Sequence, residues 1–166
     1  MSELKWLEGY SGQSVNQLIA LASEYRVDSI VLAFEQALQQ TPDPLNEAEF
    51  TILVVEAMER EVNNGGHHQF FLNTPEHAPL IVAALQRIDC PKTAELSTRA
   101  LSLIGLRPPF TEDDVRAALE KDPEGKLVEI LVDQCDRPYD NTGEPIADRL
   151  FAYIRANRGS IRLQKT

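Results

Sequence analysis

Glu61-Val62-Asn63-Asn64-Gly65-Gly66-His67-His68-Gln69-Phe70-Phe71 is the stretch whose reading decides the fold. Residues 47 to 62 ahead of it have helical composition. The two successive glycines permit the left-handed backbone that ends a helix, where Asn63 and Asn64 can hydrogen-bond the freed backbone groups. Phe70 and Phe71 then offer two aromatic anchors to a core. The stretch predicts a helix stop, a turn and a return to the interior, and gives Asn63, Asn64, Gly65, Gly66, Gln69, Phe70 and Phe71 a structural role.

Outward from it the chain reads as helices separated by Pro, Gly and Asn. Val27, Ile30, Val31, Phe34 and Leu38 repeat at helical spacing, and Thr41-Pro42-Asp43-Pro44 stops them because proline cannot continue the ladder. Asn46 with Glu49 resembles a cap pair. Phe50, Leu53, Val54, Ala57 and Met58 follow as one apolar stripe, with Ile52 and Val55 extending it. Thr74-Pro75-Glu76 reads as a helix start ahead of Leu80, Ile81, Ala84, Leu85 and Ile88. Leu96, Ala100, Leu103 and Ile104 mark the next helix, which Gly105 stops. A helix from Thr111, another carrying Leu127, Val128, Leu131, Val132 and Cys135, and a last one carrying Ile146, Leu150, Tyr153 and Ile154 complete the chain. No segment alternates like a strand. The expected fold is all-α, a single compact domain of about eight helices over residues 1–157, with a basic tail at 158–166 free to be disordered.

The signature is wider than its glycines. Leu45-Asn46-Glu47-Ala48-Glu49 leads into it, and Ala83-Ala84-Leu85-Gln86-Arg87-Ile88-Asp89-Cys90-Pro91-Lys92 follows at a set distance. Together with Glu-Val-Asn-Asn-Gly-Gly and Gln-Phe-Phe, these segments resemble a bacterial domain family of unknown function that includes the DNA-mimic proteins, over about residues 25 to 153. His67 and His68 stand where that pattern has one aromatic residue and often an Asp. The resemblance implies an all-helical acidic domain, one studied branch of which sequesters a transcriptional regulator by imitating DNA.

Composition is compatible with this. The chain has 166 residues with 26 acidic and 16 basic side chains, a formal charge of −10, which repels nucleic acid and favours a basic protein partner. From Glu112 to Asp148 there are twelve acids against four bases, whereas Arg149 to Thr166 holds five bases and no acid. Glu112, Asp113 and Asp114 are explained by the positive end of a helix dipole. Glu129, Asp133 and Asp136 fall opposite the stripe of Leu127, Leu131, Val132 and Cys135, as on any solvated helix face. Read as a binding face, the carboxylates of Glu120, Asp122, Glu124, Glu129, Asp133, Asp136, Asp140, Glu144 and Asp148 form a negative surface for Arg and Lys that would otherwise hold phosphates. Like charges four residues apart destabilise a helix slightly, and a mimic would tolerate that cost.

Other chemistries lack their patterns. His67, His68 and His77 do not have the spacing of zinc or di-iron ligands, and the loop from Asp136 to Glu144 fails the alternation of a calcium loop, so neither metal nor cofactor is expected. No nucleophile elbow, phosphate loop or dinucleotide fingerprint is present. Cys90 and Cys135 have neither metal nor disulfide spacing and read as reduced core thiols. With no apolar leader and no run of ~20 apolar residues, the expected location is the cytoplasm, away from membranes. The favoured partner is a DNA-binding protein such as a regulator, a nucleoid component or a defence complex. The charge pattern leaves a homodimer open, and also an immunity-type or structural protein whose acidity only confers solubility, or an enzyme using the Asn-Asn-Gly-Gly-His-His segment.

Overall fold

A computed structural model describes residues 2–42, 44–122 and 124–163. Asp43 of the expected breaker and Lys165 of the expected tail lie outside them. The described residues are all-α: α1 (Val15–Ala20), α2 (Val27–Gln39), α3 (Glu47–Asn73), α4 (Ile81–Arg87), α5 (Pro91–Leu103), α6 (Glu112–Glu120), α7 (Lys126–Leu131), α8 (Arg137–Tyr139) and α9 (Ile146–Ala156). Among them there is no strand, and the one isolated β-bridge pairs Lys5 with Tyr25. The helices gather into two compact units, the first from the described residues of Met1–Glu56 and Pro145–Thr166, the second from those of Ala57–Glu144.

In the first unit α2 packs on α9 and on α1. Ile30, Phe34 and Ala37 are fully buried on α2, Ile52 and Val55 on the first turns of α3, and Leu150 and Ile154 on α9. The expected stripe on α3 is rotated. Phe50 stands 38% exposed, while Ile52 and Val55, read from sequence as an extension of the stripe, are its centre. Hydrophobic periodicity marks a helix but fixes its inward face only to within one residue's rotation. The Asn46–Glu49 cap pair is present: Asn46 N–H donates to Glu49 Oε2 at 2.9 Å and Glu49 N–H to Asn46 Oδ1 at 3.0 Å.

That cap also holds the C-terminal segment. Arg162 donates to Glu49 through its backbone N–H at 2.8 Å, Nε at 2.9 Å and Nη2 at 2.8 Å. Burial pushes the Glu49 carboxyl up, yet the Arg162 and Asn46 bonds outweigh it and hold it below the ordinary carboxylate range. Ile161 is buried and Asn46 Nδ2 donates to Ser160 O at 2.6 Å. Residues 160 to 162 are thus tied to the start of α3, where charge alone suggested a loose basic tail.

In the second unit α4 packs on α5, and α5 on α7 and α8. Met58, Phe71, Ile81, Leu85, Ala100, Val115, Leu131 and Cys135 are fully buried. Both cysteines are buried and unbridged. Thr111 caps α6 in a reciprocal box with Asp114, and Gly105, with φ 86°, terminates α5 as expected.

The helix before the glycines ends at them as expected: within α3 the backbone of Gly65 and Gly66 is not helical, and two helices meet there at a kink. Two local readings need correction. Thr74 stands at the cap with Pro75 first after it, but of a single 3-10 turn, Pro75–His77; its hydroxyl donates backward to Phe70 O at 2.8 Å instead of capping, and α4 begins only at Ile81. The helix carrying Cys135 does not give way to a loop at Asp136, because α7 continues through a π-helical turn, Val132–Asp136, into α8. A π turn carries one more residue than an α turn and shifts the phase of everything after it, which no sequence periodicity foretells.

Candidate partner-binding face

The kink in α3 is built from both chain sides of the second unit. Gly66 has φ 79°, a left-handed backbone favourable only to glycine, and a Cβ there would overlap the Asp136 carboxylate. The break releases the His67 N–H from its helical bond. Asp136 Oδ1 accepts it at 2.9 Å and also pairs with His67 Nδ1 at 2.6 Å. An ionised carboxylate only accepts, so Nδ1 carries the proton. The His67 ring is fully buried, edge-on to Tyr139 with centroids 6.0 Å apart and tilted against Phe71 at 6.3 Å. His67 Nε2 and the Tyr139 hydroxyl are both buried without a hydrogen-bond partner.

The rest of the signature braces this kink. Glu61 accepts Gln69 Nε2 and Asn73 Nδ2, each at 2.9 Å, across the break, and these two bonds hold its carboxyl below the ordinary range. Asn63 Nδ2 donates to Glu59 O at 2.7 Å, closing the first half of the helix as expected. Phe70 and Phe71 are buried, their rings 5.6 Å apart. Glu59, one turn before the kink, is largely buried with Oε1 unpartnered, and burial pushes its carboxyl up to about 7.

An Asp–His pair invites a catalytic reading, but a general base must bring its second nitrogen within reach of a substrate. Nε2 of His67 is shut away from solvent. Among the described residues no group of three or more His, Cys, Asp or Glu is placed to hold a metal ion.

The nine carboxylates singled out from sequence divide by what they touch. Asp122 accepts the N–H groups of Lys126 at 3.0 Å and Leu127 at 3.1 Å, at the start of α7. Glu144 accepts Lys92 N–H at 2.8 Å, Thr93 N–H at 2.9 Å and the Thr93 hydroxyl at 2.7 Å, at the start of α5. Asp136 is turned inward to His67. These three hold the fold together. Glu124 pairs with Lys126, and Asp133 with Arg137 at 3.0 Å, both on the surface. Glu120, Glu129 and Asp140 are exposed with no hydrogen bond or ion pair among the described residues. Asp148 is exposed in the first turn of α9, in the first unit, where it meets the helix dipole.

Sequence reasoning missed the apolar component of this surface. Val128 and Val132, one turn apart on α7 and its π turn, are 42% and 36% exposed, and Ile130 is 37% exposed. Val128 and Val132 had read as part of the helix stripe. Only Leu131 and Cys135 of that stripe are fully buried, because the short helix offers the core a narrow seam.

An all-helical chain with a strongly acidic second unit and a glycine-kinked central helix has a counterpart among known families. It belongs to the DMP19-like proteins, a DNA-mimic family, whose model matches residues 43–157. No curated protein and no solved structure matches the chain. Among the described residues no helix is long and apolar enough to cross a membrane.

Proposed function

We propose that this chain binds a DNA-binding protein in place of DNA, presenting the carboxylates around α7 and α8 to a basic surface that otherwise grips phosphates. The observation that carries the reading is the set of exposed acids left over after the fold has used its own. Among the described residues Glu120, Glu129 and Asp140 have no internal partner, and Asp133 pairs with the exposed Arg137. Exposed pairs of that kind contribute ~0–1 kcal/mol, so a partner's guanidinium readily replaces Arg137. Family membership supports the same direction.

The test is capture of partners on the immobilised full chain, wild type against Glu129→Lys, Asp133→Lys and Asp140→Lys together. These positions are exposed, so the triple variant folds, as circular dichroism will verify. The expected result is a DNA-binding protein retained by the wild type, released by salt and by its own DNA, and lost with the variant. A partner that stays bound while occupied by DNA, or that binds the folded variant equally well, overturns the reading and favours an immunity-type or structural role.

A further inference from the structure

The first unit holds an open cavity of roughly 570 Å³, lined by the segment that leads into α1 and the segment that follows α9. Small-ligand sites are commonly ~300–1,000 Å³. Both walls are fixed by the fold. Tyr10 N–H donates to Gln36 Oε1 at 2.9 Å and Ser14 caps α1 in a reciprocal box with Gln17, while Ile161 is buried and Arg162 is bonded to Glu49. Acids outnumber bases in this chain by 26 to 16, yet no Asp or Glu among the described residues lines the cavity, whereas Arg158 and Arg162 both do. Glu49 meets the charge of Arg162. Arg158 is exposed and has no ion pair or hydrogen bond among the described residues. Gln13 and Gln17 add donors to the same lining. Ser11 N–H donates to Gln13 Oε1 and Ser14 N–H to Gln17 Oε1, each at 2.8 Å, so the amide oxygens are spent and the two amide NH2 groups have no partner among the described residues. Tyr10 and Ile161 contribute apolar surface.

We infer that this cavity binds an organic phosphate, its phosphate at Arg158 and its apolar body against Tyr10 and Ile161. A guanidinium presents a planar fork of N–H donors that matches phosphate oxygens two at a time, and such charge-assisted bonds are the strong ones. A phosphate monoester carries three acceptor oxygens, enough to take the Gln13 and Gln17 amides as well as the guanidinium. A carboxylate has two oxygens and leaves more of these donors unspent. The apolar wall favours a ligand with a ring or carbon body over inorganic phosphate. The site uses no residue of the acidic face, so it stands whether or not the chain imitates DNA.

The full chain, labelled with ¹⁵N and free of phosphate buffer, is titrated separately with phenyl phosphate, benzoate and inorganic phosphate, following backbone amide shifts. Saturable shifts centred on Gly12, Gln13 and Gly159 are expected with phenyl phosphate, and weaker binding with each of the other two. Adenosine monophosphate and ribose phosphate, titrated in turn, tell a nucleotide from a sugar phosphate by which binds tighter. Arg158→Gln removes an exposed side chain without an internal bond, so the protein stays folded, as circular dichroism will verify, and the saturable shifts should be lost. Arg107→Gln removes the same charge from an exposed position in the second unit and should leave binding unchanged. Absent or non-saturating shifts in the wild type, benzoate or inorganic phosphate binding as tightly as phenyl phosphate, unchanged binding in the folded Arg158→Gln, or equal loss in Arg107→Gln overturns the proposal.

Discussion

Asp136 Oδ1 sits 2.6 Å from His67 Nδ1 and 2.9 Å from the His67 backbone nitrogen, joining residues 69 apart in sequence. One carboxylate oxygen thus fixes both a ring and the backbone freed by the kink in α3. Asp136→Ala should therefore destabilise the fold by roughly 2–4 kcal/mol, since it strands two donors with little access to water. Urea melts measure it. A change within ~0.5 kcal/mol, the range of an ordinary surface substitution, would return Asp136 to the solvated face that sequence alone suggests.

Gly66→Ala should cost more than Gly65→Ala. At Gly66 the added Cβ meets both a left-handed backbone and the Asp136 carboxylate, whereas Gly65, at φ −158°, meets only the movable Gln69 side chain. Strain of that kind is of order 1–3 kcal/mol, plus whatever Asp136 loses by moving. Parallel denaturant titrations decide the order, and equal costs would mean the kink is not pinned at Gly66.

Glu59 gives the molecule a pH dependence of its own. Burial raises its carboxyl from 4.5 in the unfolded reference to about 7, so the folded state favours the protonated form. A raised carboxyl contributes a penalty that is absent below about 4.5, grows as pH climbs and is complete above about 7. Glu59→Gln should stabilise the protein at pH 8 by on the order of 3 kcal/mol and hardly at all at pH 4. Melts of both proteins across that range test it; a gain independent of pH would show that the ionisation of Glu59 is not its source.

Glu49 works in the opposite sense. Its carboxyl lies below the ordinary 4.5, so its contribution is present above that value and is lost as pH falls through the lower, folded one. Arg162→Ala removes the guanidinium bonds and leaves a buried carboxylate with only its cap and the backbone N–H of residue 162. The variant should melt at lower temperature at pH 7, with the gap narrowing in acid as Glu49 is neutralised. A gap that widens in acid would contradict the assignment.

The order of elements was legible in sequence wherever a local rule acts alone. The Asn46–Glu49 cap pair, the helix start at Thr111, the Gly105 stop and the buried Phe70 and Phe71 follow from capping chemistry and side-chain hydrophobicity. The excess of acid between residues 112 and 148 was equally plain, being a matter of counting. Family membership rests on the same kind of information, since a run such as Glu-Val-Asn-Asn-Gly-Gly is visible without coordinates.

Where a residue's role depends on what lies across from it, sequence gave no answer. Two glycines let a helix end, but what holds the turn is remote from them: Glu61 bonds Gln69 and Asn73 across it while Asp136 receives the freed N–H. The acids were identical on paper. Packing made Asp136, Asp122 and Glu144 internal acceptors and left Glu120, Glu129 and Asp140 to the solvent. The π turn rotated α8 so that Tyr139 met His67. Composition and local rules fix which segments are helical and what charge they carry, because both act within a few residues; which charges remain for a partner is set by contacts between segments far apart in the chain.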